Sequence, residues 1–218
     1  MRKWIPLLIV AAAFIATAAV YPDLPDRIPV HWNMQGEVDR WSGRRISGAL
    51  MMPLIIVLLW ALMRWLPYID PRRDNYAKFS TAFEAIMITL MLFMLLLHGM
   101  MLRAALGYPV AVERVIPVAI GILFIVMGNL MPRARPNWFF GIRTPWTLSS
   151  DRVWERSHRF GGRLFVIGGL LLAAAGLAGV SWTSRVLIAV VAVCSLGSVL
   201  YSYLEWRKEK RDSATPTV

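Results

Sequence analysis

Near the start of the chain, His31, Glu37 and Asp39 lie within nine residues of one another. A turn between them would bring an imidazole and two carboxylates together, the raw material of a metal or proton site. One His and two carboxylates match no recognised metal spacing, and the same residues serve equally well in a hydrogen-bonded loop packed on its neighbours or in contact with a ligand. A second concentration falls at residues 131–163, where Arg133, Arg135, Arg143, Arg152, Arg156, Arg159 and Arg163 alternate with Trp138, Phe139, Phe140, Trp146, Trp154 and Phe160. Arginine beside aromatic rings suits phosphate, on a lipid surface or on a nucleic acid. His158 sits beside Trp154 in this stretch as an interfacial side chain rather than a base. Glu84 and His98 are 14 residues apart in an apolar run, about four helical turns and about 21 Å, so they share a face without touching. Only Thr89 lies between them to carry a proton, which favours structural roles.

The elements that must position these residues are membrane helices. Of 218 residues, 57% are hydrophobic and 17% charged, against about 45–50% and about 25% in soluble domains. Six apolar segments approach or reach the length of about 20 residues that spans a bilayer: 4–20, 48–66, 82–102, 115–131, 164–182 and 186–204. The first also has features of a secretory signal, with Arg2 and Lys3 ahead of it and Ala16-Thr17-Ala18 behind. Its long apolar stretch and Trp4 at the interface argue for retention. With the N-terminus inside, the inner segments carry 17 of the 24 Lys and Arg, which places both termini in the cytoplasm. The loop 21–47 then lies outside and 132–163 inside. The net charge of +11 suits anionic headgroups. Direct nucleic-acid binding is disfavoured, because the aromatics sit between two spans. The fold expected is an all-α polytopic bundle of about six transmembrane helices. A domain of three helices (1–110) should precede a second of three (111–207), and the charged, then Ser/Thr/Pro-rich tail 208–218 should be disordered.

Within the outer loop, Pro22, Pro25 and Pro29 forbid a continuous helix. Ile28, Val30 and Trp32 alternate as in a strand, and Met34–Glu37 should turn with Gly36 at positive φ. In the inner loop, Pro132, Pro136 and Pro145 again interrupt. A short amphipathic helix should start at Ser149 or Ser150, with Asp151 in its first turn. Val153, Trp154, Ser157 and Phe160 line one side, and Arg152, Glu155, Arg156 and Arg159 lie largely on the other. Glu155 and Arg159 form an i,i+4 pair, and Gly161-Gly162 should end the helix. The aromatics would enter the lipid interface. Asn129 is placed to tie the Pro132 loop to the bundle. Gly169/Ala173 and Ala175/Gly179 are small pairs that permit close helix packing. Cys194, the one cysteine, is expected as a small buried hydrophobe.

At these two loops the sequence resembles a known family. Gly128-Asn129, then the run from Asn137 through Trp138, Phe139, Phe140, Gly141, Ile142, Arg143, Thr144, Pro145 and Trp146, then Val153-Trp154 and His158, resemble the signature of the SdpI immunity-protein family. Leu24-Pro25, the run from Ile28 to Trp32, and Gly36-Glu37-Val38-Asp39 resemble the uncharacterised membrane domain found upstream of that signature. The resemblance implies a bacterial plasma-membrane protein that protects against a secreted membrane-active peptide toxin and holds a small DNA-binding repressor at the membrane. By that analogy His31, Trp32, Gly36 and Asp39 face the toxin. Asn129, Asn137, Phe140, Gly141, Arg143, Thr144, Trp146, Trp154 and His158 belong to the face turned to the regulator. No cofactor or metal is implied.

Two other classes compete. A small transporter or lipid-handling protein needs polar residues along a midplane path, and few are present. An intramembrane hydrolase built on His31, Asp39 or His158 lacks a nucleophile–base spacing. No Gly-rich phosphate loop, His-Glu-x-x-His helix or Gly-x-Ser-x-Gly elbow occurs. A membrane protein without catalysis, in contact with lipid and these partners, is the expected function.

Overall fold

The computed structural model describes residues 4–214. In chain order the helices are α1 (Ile5–Val20), α2 (Arg45–Ile69), α3 (Asp74–Ala105), α4 (Val112–Leu130), α5 (Pro145–Ser149), α6 (Asp151–Ala178) and α7 (Thr183–Ala214). Strands β1 (Pro29–Trp32) and β2 (Val38–Trp41) form a hairpin between α1 and α2. All helices except α5 are long and apolar enough to cross a membrane, so the expected all-α polytopic bundle is present, with a small hairpin added. Short 3-10 turns follow α1 at Tyr21–Asp23 and α4 at Met131–Arg133, each with a proline in its first turn.

The chain forms two compact units. One unit runs to Trp65 and resumes at Met87–Ile116; the other holds Leu66–Ile86 and the chain from Pro117 onward. In the first, Leu24, Ile28, Ala49, Met52, Met101 and Leu102 form a buried cluster. It seats the base of the hairpin against α2 and α3. Gly48 permits this, since a Cβ there would lie 2.7 Å from Ser42 Oγ and 2.9 Å from Ile28 Cβ. His98 is fully buried in this unit. Its Nε2 lies 2.9 Å from Thr17 Oγ1 and 3.2 Å from the Ala13 carbonyl. A carbonyl only accepts, so Nε2 carries the hydrogen, and the ring ties α3 to α1.

In the second unit, α4 and α6 cross at glycines. A Cβ on Gly121 would lie 2.6 Å from the Gly169 carbonyl oxygen and 2.9 Å from Ala173 Cβ, and one on Gly162 2.6 Å from the Gly128 carbonyl oxygen. Backbones this close require bare Cα atoms. The small pair Gly169/Ala173 thus packs within the bundle. Gly179, the partner of Ala175, has φ +63° and caps α6 instead. Cys194 is buried against Gly168.

Three local expectations need correction. Gly161-Gly162 does not end a helix; α6 runs unbroken from Asp151 to Ala178, because those glycines meet Ile142, Ser198 and Gly128 and admit these neighbours. The tail from residue 208 is helical to Ala214. Acidic side chains at this end of α7 bind the start of α6: Glu205 to Arg156 at 2.8 Å and, within the tail, Glu209 to Ser150 at 2.9 Å and Asp212 to Arg152 at 3.8 Å. The rest of that tail lies outside the described residues. Asn129 is exposed and donates to the Ile125 carbonyl one turn back on α4 (2.8 Å). It makes no tie to the Pro132 loop, because that bond uses its amide on its own helix.

Candidate functional site

The hairpin is organised by Asn33, which the sequence reading passed over. Its Oδ1 accepts from the Gln35 and Glu37 amides at 3.0 and 2.9 Å, its Nδ2 donates to Glu37 Oε2, and its carbonyl accepts from Gly36 N–H. An Asn followed by a turn glycine was the available signal. Gly36 has φ +81°, as the turn requires. The strands pair Pro29 with Trp41, His31 with Arg40 and Trp32 with Val38, with irregularities between these pairs. That slip lets His31 Nδ1 meet Asp39 Oδ1 at 2.6 Å. Both side chains are about half exposed. Glu37 is engaged by Asn33 and does not join them, so the three residues do not converge. Among the described residues no group of three His, Cys, Asp or Glu could hold a metal ion. Trp32 is half-buried on the core cluster, while Met34 and Trp41 stand exposed.

The second site is a knot of loop between α4 and α6, clamped by the α2–α3 connection. Asn137 is fully buried. Its Oδ1 accepts from the Phe139 and Phe140 amides at 3.0 and 2.6 Å, and its Nδ2 donates to the Arg135 carbonyl. Gly141 turns the chain at φ +98° directly over His158. Thr144 and Thr147 form a reciprocal cap on α5; Thr147 is fully buried and also donates to the Ile142 carbonyl. Ser150 caps α6 by accepting from Val153 N–H. Trp154, also fully buried, donates its indole N–H to the Ala134 carbonyl at 2.9 Å and stacks on His158 at 4.0 Å between centroids.

The face of α6 bearing Val153, Trp154 and Ser157 is therefore a protein core rather than a lipid-facing surface. The polar side carries Glu155, shared by Arg135 at 2.9 Å and Arg159 at 3.9 Å. The expected placement of these aromatics in the lipid interface fails for Trp154, which is fully buried, because the loop after α4 accepts its indole N–H at Ala134 and His158 stacks on its ring.

His158 has both ring nitrogens committed. The Trp154 carbonyl can only accept, so Nδ1 donates to it (2.8 Å); the Ile142 N–H can only donate, so Nε2 accepts (3.0 Å). A ring held in this way has no lone pair to offer a substrate. This geometry speaks against the hydrolase reading at His158.

Asp70 is the residue whose importance composition concealed. It follows α2, is 2% exposed, and accepts three hydrogen bonds: Arg72 N–H at 2.7 Å on Oδ1, with Tyr76 O–H and Trp138 N–H, both at 2.9 Å, on Oδ2. Asn75 Nδ2 donates to the Pro136 carbonyl, and Arg72 to the Leu148 carbonyl, both at 2.8 Å. Of the predicted residues, the knot unites Asn137, Phe140, Gly141, Thr144, Trp154 and His158. Arg143 is exposed and donates to the Trp138 carbonyl. Trp146 reaches α7, where its indole N–H donates to Ser202 Oγ at 2.5 Å and its ring packs on Tyr203. Trp146→Phe should cost about 1 kcal/mol through this lost bond. A thermal unfolding scan in mild detergent checks it; an unchanged midpoint would show the bond to be idle.

Residues 133–202 match the SdpI/YfhL protein family, and residues 8–57 match a domain of unknown function (DUF1648). These regions hold the knot and the hairpin. The chain is 28% identical over 213 residues to "Immunity protein SdpI" of Bacillus subtilis (strain 168), covering 95% of this chain and 97% of that protein. No solved structure matches the chain. With six membrane-length helices and these two regions in order, the chain is a multi-pass bacterial membrane protein that is similar to the SdpI/YfhL family over residues 133–202.

Proposed function

We propose that this chain is a membrane immunity protein whose hairpin meets a secreted, membrane-active peptide toxin on the outer face. In this reading both termini are cytoplasmic, and the knot around Asn137, Gly141 and His158 presents the inner face to a small DNA-binding repressor. Similarity to an immunity protein along nearly the whole chain carries the proposal. The geometry supports it in a specific way. The hairpin is fixed at its base by buried Ile28 and at its tip by Asn33, so His31, Met34, Asp39 and Trp41 are offered to the outside with little entropy left to lose. Arg143 and Trp138 are likewise exposed on a knot whose interior is closed.

The test is survival. A toxin-sensitive bacterium lacking an immunity protein of its own, expressing this chain, is challenged with a secreted membrane-active peptide toxin. Survival above an empty-vector control is expected; killing equal to that control, with the protein shown to be in the membrane, would remove the reading for that toxin. Replacing both His31 and Asp39 by Ala should leave membrane levels unchanged, since an exposed pair contributes at most about 1 kcal/mol. Protection should nevertheless fall. Full protection by the double variant would show that the hairpin is not the contact surface.

A further inference from the structure

Six arginines on and around the knot fall into two groups. Arg135, Arg152, Arg156 and Arg159 each have a carboxylate within 4.0 Å. Arg72 and Arg143 have none among the described residues. Each is instead anchored by one hydrogen bond to a backbone carbonyl, Arg72 Nη2 to Leu148 at 2.8 Å and Arg143 Nη1 to Trp138 at 3.0 Å. Trp138 and Leu148 both line one open groove of about 470 Å³, completed by Arg143, Thr144, Pro145 and Ser149. A guanidinium has five donors, so one bond to a carbonyl aims the group and leaves the rest of the fork available.

We propose that this groove is a binding site for one anionic phospholipid, with the phosphodiester on Arg143 and Arg72 and the glycerol and upper acyl chain against Trp138, Pro145 and Leu148. Charge complementarity selects the anion: Arg143 in the wall, and Arg72 held on the backbone of the wall residue Leu148, have no carboxylate within 4.0 Å among the described residues, and the other walls are mainly apolar. The planar fork matches a phosphate better than an ammonium would. Position selects a lipid over a free ion or a protein. The loop leaves α4 at Leu130 and re-enters α6 at Asp151, two membrane-length helices. Its α4 end, together with Trp146 on Ser202 and Tyr203 at the end of the apolar span of α7, therefore holds it at the bilayer surface. Trp138, 49% exposed, is of the residue type that settles at headgroup level. The proposal is independent of any toxin or regulator.

Native mass spectrometry of the full chain in non-ionic detergent tests it, with equal amounts of dioleoylphosphatidylglycerol and dioleoylphosphatidylcholine. The expected result is one retained phosphatidylglycerol in preference to phosphatidylcholine. Retention should weaken roughly tenfold in Arg143→Gln and in Arg72→Gln, the loss of one charge-assisted contact. It should stay unchanged in Arg163→Gln, a basic residue outside the groove. Arg143→Lys keeps the charge and should retain the lipid in part, which separates loss of binding from loss of fold. Equal retention in all three Gln variants would reduce the effect to general charge and overturn the site. Displacement of the lipid by equimolar inorganic phosphate would assign the groove to a free anion, and displacement by an equimolar acidic peptide would assign it to a protein; either result overturns the lipid assignment.

Discussion

Gly141→Ala should destabilise the second unit by about 2–6 kcal/mol, a large share of any membrane domain's margin. Two independent costs meet at one Cα. The backbone stands at φ +98°, where a side chain is strained by about 1–3 kcal/mol. The new methyl would also run into His158 Nε2. That nitrogen accepts the Ile142 amide, so the ring cannot step aside without orphaning a buried N–H, and overpacking of this sort adds about 1–3 kcal/mol. The two costs are separable. In a His158→Ala background the clash disappears and the strain stays, so Gly141→Ala should be less damaging there than in the parent chain. Unfolding midpoints of the four proteins in mild detergent measure this. A Gly141→Ala chain as stable as the parent would mean that the loop does not ride over His158.

The helices and the hairpin were legible because their signals are local. Apolar length marks a span wherever it packs, and alternation at Ile28, Val30 and Trp32 with a glycine at 36 marks a hairpin. What the sequence left hidden depends on partners distant in the chain. Trp154 and Ser157 have the pattern of a lipid-facing helix side, and only the polar loops folded over them make that side a core. Gly161-Gly162 reads as a stop until Gly128 and Ile142 are placed against it, when it becomes a contact surface. Asp70 lies in the short connection between two membrane helices, and nothing near it in sequence announces that its carboxylate serves Trp138, 68 residues away. Asn137, Gly141 and His158 were singled out by resemblance, and the structure assigns them to the interior of the knot. Among the expected partner-facing residues, Arg143 on the knot and His31 and Asp39 on the hairpin are exposed.

Asp70→Ala should cost about 3–5 kcal/mol, and its effect should extend beyond stability. Three donors converge on one carboxylate, and a buried donor left without a partner costs about 1–3 kcal/mol. Asp70→Asn keeps the volume but supplies one acceptor oxygen. Its best orientation retains Tyr76 and Trp138 and turns an NH2 towards the Arg72 amide, so it should lose about as much as one orphaned donor. Tyr76→Phe removes a donor and leaves the carboxylate its two amides, so it should be the mildest of the three. The order Ala, then Asn, then Phe in falling midpoint loss tests the geometry better than any single value. Equal losses for Ala and Phe would mean that the Trp138 and Arg72 amides do not depend on Asp70. The same carboxylate holds Trp138, whose carbonyl aims Arg143, and the connection holding Arg72 starts at Asp70. Loss of Asp70 should therefore lower phosphatidylglycerol retention while both arginines remain in the sequence. Retention at the parent level in a folded Asp70→Ala chain would show that the groove is shaped by α5 and α6 alone.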